Sequence, residues 1–114
     1  MELSQQVVSL ELAKRLKELG VKQESLFYYS QNGLVGGTYD VIISSSIICS
    51  AFTVAELGEL LPYNCYTRKS KTNKGCFEAH IIEKGGDEVF IDENEANARA
   101  KMLIYLIENK LVEI

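Results

Sequence analysis

Leu12, Ala13, Leu16 and Leu19 recur at helical spacing, and Lys14, Arg15, Lys17 and Glu18 fill the positions between them. Apolar residues three and four apart share one helix face, so this segment lays a leucine stripe on a core. Ser9 caps its start, because a hydroxyl there accepts an unpaired N–H of the first turn. Gly20 ends it in the left-handed conformation, and Val21 follows where an apolar contact accompanies that ending. Downstream, Leu26-Phe27-Tyr28-Tyr29 is an aromatic run of strand type, and Thr38-Tyr39-Asp40-Val41-Ile42-Ile43 is a β-branched one. Asn32-Gly33 and Gly36-Gly37 mark turns between them, which predicts a hairpin with a loop longer than the two-residue ideal. Ser44-Ser45-Ser46 breaks the second strand. Ile47-Ile48-Cys49 fits either a short strand or a buried approach to the next helix.

Thr53-Val54-Ala55-Glu56 is a capping box, in which Thr53 and Glu56 each serve the other's backbone N–H. A short helix follows through Leu57, Leu60 and Leu61, and Pro62 stops it. Tyr63 to Arg68 and Cys76 to Glu83 read as strands joined by the loop Ser70 to Gly75. Gly85-Gly86 turns the chain into Glu88-Val89-Phe90-Ile91, completing a three-stranded antiparallel meander. Asp92-Glu93-Asn94-Glu95 resembles a second capping box, with acids suited to the positive end of a helix dipole. In the helix it opens, Ala96, Ala100, Leu103 and Ile107 form a stripe that Met102 and Leu106 widen, and Asn109-Lys110 closes it. The predicted class is α+β in a single domain spanning 1–114. Its antiparallel sheet has three to five strands, drawn from 63–91 and extended by the strands near 26–30 and 38–43. It packs against the N-terminal and C-terminal helices.

Composition narrows the class of function. At 114 residues, the chain is long enough to bury a core without a disulfide or metal staple. A net charge of −4 argues against a nucleic-acid binder, since phosphate contacts need clustered Lys and Arg. Cys49, Cys65 and Cys76 are odd in number and contain no CxxC pair, which suits reduced thiols in a cytoplasm. Met1 to Gln6 lacks the basic and apolar regions of a secretory leader, and no apolar stretch approaches the length of a membrane span. The expected location is the cytoplasm, away from the membrane.

Candidate chemistry is sparse. Cys49, Cys65, Cys76 and His80 have the residue types of a zinc site but not its spacing. Side chains alternate along Cys76 to Glu83, so Phe77, Ala79 and Ile81 face one way and Cys76, Glu78, His80 and Ile82 the other. With Phe77 on the core side and Arg68 opposite Glu78, Tyr66 lies opposite His80, and Cys65 joins the core face. That register separates Cys65 from His80; a one-residue slip unites them as the alternative set Cys65, Cys76 and His80. Buried free cysteines are the simpler account, with no metal and no cofactor. Glu78 and His80 share a face as an acid–base pair, the candidate catalytic residues of a small enzyme. No nucleophile motif accompanies them, and a half-exposed polar face is the simpler account. Gly33, Gly36 and Gly37 form no phosphate-binding fingerprint and read as turn glycines. Arg68 to Lys74 holds four cations in seven residues, either a contact for an anionic partner or a hairpin tip kept soluble by lysines. Tyrosines occur at Tyr28, Tyr29, Tyr39, Tyr63, Tyr66 and Tyr105, and Tyr66, with Arg68 beside it, is the candidate anchor for a partner.

Three segments resemble a family of short uncharacterised proteins common in bacteriophages and prophages. They are Val8 to Gly20 (VSLELAKRLKELG), Ala51 to Pro62 (AFTVAELGELLP) and Ala96 to Asn109 (ANARAKMLIYLIEN). The run Phe27-Tyr28-Tyr29 is similar to it as well, and the resemblance fades from Gly36 to Cys49. The matching motifs are caps and core stripes. They imply a phage or integrated-element origin, hence a bacterial host cytoplasm, and no particular activity. The expected function is a non-catalytic accessory protein working through protein contacts, with a protein partner or a second copy of itself. The alternative is an enzyme or metal-binding domain on the Glu78/His80 face.

Overall fold

The computed structural model describes residues 2–36, 46–62, 64–82 and 88–112. Each helix begins where a side chain bonds its first turn. Helix α1 (Leu10–Glu18) is capped by Ser9, whose hydroxyl accepts the Leu12 N–H. It closes with the Gly20 N–H on the Lys17 carbonyl and the Val21 N–H on the Leu16 carbonyl, Gly20 sitting at φ 93° and Val21 buried. Helix α2 (Val54–Leu60) starts on the reciprocal Thr53/Glu56 box, at 3.2 and 2.9 Å. It ends because Leu61, the residue before Pro62, is extended at ψ 145°.

Helix α3 (Glu95–Glu108) corrects one expectation. Its cap is Asn94, which accepts the Asn97 N–H, and no box starts from Asp92. Asp92 is still the last residue of a strand, opposite Phe77, and its carboxylate instead accepts the Asn94 N–H at 2.9 Å.

Among the described residues, the strands form two antiparallel sheets of three. The first contains β1 (Phe27–Ser30), β2 (Gly33–Gly36) and β3 (Ile47–Ser50) in the order β2-β1-β3. Gln31 and Asn32 make the β1–β2 turn, so the strand paired to β1 begins at Gly33. The expected strand 38–43 lies outside the described residues. Ile47-Ile48-Cys49 belongs to a strand, with Cys49 opposite Tyr29. The second sheet contains β4 (Cys65–Lys69), β5 (Phe77–Ile81) and β6 (Val89–Asp92) in the order β4-β5-β6. This is the predicted meander; its Gly85-Gly86 turn lies outside the described residues. The β1 hairpin builds a sheet of its own rather than extending this one.

Helix α3 joins the two halves because it is apolar on two sides. Ala96, Ala100 and Leu103 pack with Ala13 and Leu16 of α1, with Phe52, and with Leu57 of α2. Ala98, Met102 and Leu106 pack on Ala79 and Ile81 of β5. The three fully buried alanines let neighbours approach the helix backbone from both directions. The second sheet therefore rests its inner face on α3 and turns its other face outward.

Candidate functional site: the outer face of the second sheet

The β4–β5 register sets Arg68 opposite Glu78 and Tyr66 opposite His80, as strand alternation predicts. Cys65 and Thr67 fall on the inner side, across from Ile81 and Ala79, and Cys65 packs with the core cluster. Cys65 and His80 thus lie on opposite faces and cannot share a metal ion. Among the described residues, no three His, Cys, Asp or Glu side chains converge as a metal site. Cys49 is buried in the other sheet, where burial pushes its thiol pKa up.

On the outer face, the Glu78 carboxylate is the hub. Its Oε1 accepts from Arg68 Nε at 3.0 Å and lies 2.9 Å from His80 Nε2; its Oε2 accepts from Ser70 Oγ at 2.9 Å. His80, then Arg68, then Ser70 hold the carboxyl at about 2, well below the usual 4.5. An ionised carboxylate only accepts, so Nε2 carries the imidazole proton in this contact. The Tyr66 ring stacks on the imidazole, centroids 5.0 Å apart and planes 5° from parallel. Glu78 keeps only 8% of its surface, so the expected half-wet polar pair is a closed cluster. Ser70 is the member that strand reading missed. It lies two residues beyond Arg68 on the same face, so extending the alternation by one step finds it.

Around this cluster the face is apolar. Val89 lies opposite His80 and Ile91 opposite Glu78, and Ile82 continues the β5 alternation. Tyr66, Ile82, Val89 and Ile91 are exposed by 43, 64, 40 and 38%. The other tyrosines among the described residues are spent internally: Tyr28 and Tyr29 donate to the Gln23 and Val8 carbonyls, and Tyr105 tilts against Phe90.

The arrangement does little chemistry. Both Glu78 oxygens are engaged, and the imidazole is covered by Tyr66. A groove of about 990 Å³ opens elsewhere, between the starts of α2 and α3, lined by Gln5, Thr53, Asn94, Asn97 and Arg99 among others. Its polar groups hold the fold together. Arg99 donates to Thr67 Oγ1, the Val54 carbonyl and Glu95, tying α3 to β4 and α2.

Among the described residues, no helix is long and apolar enough to cross a membrane. No protein-family model, curated protein or solved structure matches the chain.

Proposed function

We propose that the chain is a non-catalytic accessory protein of a phage or prophage, which binds another protein in the bacterial cytoplasm through the outer face of β4-β5-β6. The reading rests on four large exposed apolar side chains, Tyr66, Ile82, Val89 and Ile91, which surround the Glu78 cluster on one sheet face. Large exposed apolar side chains gathered on one face mark interaction sites. The carboxylate at its centre is already neutralised by Arg68, so covering the face leaves no bare charge. The three segments that resemble phage proteins supply the biological setting. The net charge of −4 speaks for a protein rather than a nucleic acid as partner. An enzyme at Glu78 and His80 needs an imidazole open to substrate, and this one keeps 12% of its side-chain surface with Tyr66 stacked on it.

The test identifies a binder from host extract, purifies it and reconstitutes the pair. Tyr66→Ala and Val89→Ser should each weaken the complex at least about tenfold, or roughly 1.4 kcal/mol, with circular dichroism unchanged. Glu24→Ala, remote from the face, should not. Equal affinity for all variants overturns the proposal.

A further inference from the structure

The two edges of the β4-β5-β6 sheet differ. On β6, the Ile81 N–H bonds the Glu88 carbonyl, which fixes the alternation and turns the backbone groups of Val89 and Ile91 away from β5. Lys101 Nζ takes the outward Ile91 carbonyl at 3.0 Å and is anchored by Asp92 at 2.9 Å. A lysine placed on an edge in this way blocks the addition of another strand.

Among the described residues, the β4 edge carries no such block. The Ile82 N–H bonds the Asn64 carbonyl, and the Ser70 N–H bonds the Cys76 carbonyl. Alternation between these two pairs turns the N–H and C=O of Thr67 and Lys69 outward. Among the described residues, nothing pairs with them. Lys69, Lys71 and Lys74 stand exposed at this edge and its loop, and none has an acidic partner among the described residues. On an acidic chain, the open edge is the cationic one.

We infer that β4 accepts an extended acidic segment of the partner protein as a fourth strand of this sheet. The inference rests on the protein-binding reading above and adds the partner's chemistry. Strand addition takes affinity from main-chain bonds and specificity from alternate side chains. Thr67 and Lys69 offer the main-chain bonds, and the lysines meet carboxylates on the incoming segment. Its apolar residues lie beside Tyr66 on the outer face. A nucleic acid satisfies the lysines but has no backbone ladder to match the edge.

The experiment titrates the full chain into a fluorescent short peptide alternating valine and glutamate. Its counterpart with lysine for glutamate and a single-stranded oligouridylate are run alongside. The glutamate peptide should bind more tightly than the others, protect the Thr67 and Lys69 amides from hydrogen exchange, and weaken as salt rises. Lys69→Pro removes an outward N–H without touching the β4–β5 ladder and should weaken binding at least tenfold. The double variant Lys71→Glu, Lys74→Glu keeps the backbone intact and should do the same. Equal binding of the lysine peptide, or tighter binding of the oligouridylate, overturns the inference. If Tyr66→Ala disrupts the reconstituted complex while the lysine variants do not, the added strand fails and the face reading stands. If the peptide binds as described but Tyr66→Ala leaves the complex intact, the face reading fails by itself.

Discussion

The Ser9 backbone N–H donates to Asn97 Oδ1 at 2.7 Å, joining the cap of α1 to the first turn of α3 across 88 positions of sequence. Beside it, Asn94 donates to the Val7 carbonyl at 2.9 Å. Asn97→Ala leaves the part-buried Ser9 N–H without its acceptor, and the expected loss is about 1–3 kcal/mol. Urea unfolding should show a lower midpoint with an unchanged slope. Asn97→Asp keeps the acceptor but sets a second carboxylate beside Asp92, so it should recover only part of that loss.

Gly58 and Arg99 form a pair whose effects reverse sign. A methyl group at Gly58 falls on the Arg99 Nη1 atom, which is bonded to the Val54 carbonyl. Gly58→Ala gains about 1 kcal/mol of helix propensity. It disturbs a charge-assisted bond of about 1.5–3 kcal/mol, so the net effect is a modest destabilisation. In an Arg99→Ala background the obstruction is gone, and the same substitution should stabilise by about 1 kcal/mol. A double-mutant cycle by thermal or chemical denaturation reads the reversal.

Acid should find Glu78. Its carboxyl titrates at about 2 in the fold against 4.5 ordinarily, so the folded state binds that proton less readily than the unfolded chain. The contribution is complete above pH 4.5, shrinks as the pH falls and is gone below about 2. Glu78→Gln removes it. The stability difference between wild type and variant should therefore narrow across that window, measured by denaturant unfolding at stepped pH.

Lys110 holds φ at 56° and ends α3 by the same pair of bonds that ends α1 at Gly20, the Leu111 N–H reaching the Leu106 carbonyl at 2.8 Å. A side chain in that region costs about 1 kcal/mol or more, and glycine avoids it. Lys110→Gly should raise the melting temperature by roughly 4 °C. A lower melting temperature would mean that Lys110 makes a contact worth more than the backbone strain.

Local chemistry made much of this fold legible in the sequence. Ser9, Gly20, Thr53, Glu56 and Pro62 act within four residues of themselves, so their roles follow from spacing. The β4–β5 register follows from putting Phe77 inside. What escaped depends on distant partners. β3 pairs with β1 across a long connection, and Ile47 to Cys49 carries no local mark of that. Gly36 reads as a turn because glycine has little strand preference, yet it stands opposite Phe27. Asp92 has the profile of a cap, but its pairing with Phe77 keeps it in the strand and passes the cap to Asn94. At the candidate site, alternation placed Tyr66, Arg68, Glu78 and His80 together. It did not show that Arg68, Ser70 and His80 would close over Glu78, because that depends on side-chain reach.

Lys101 sets a limit on assembly. A sheet open at both edges is a template that copies can lengthen without end, which is how fibres begin. Here one edge is obstructed, by the lysine on the Ile91 carbonyl. Two copies meeting through β4 would use up each other's open edge, and both outer strands of the joined sheet would be β6, each with its Ile91 carbonyl already occupied. Further growth through this sheet would have to displace Lys101 at either end, so a single lysine stands between a socket and a polymer.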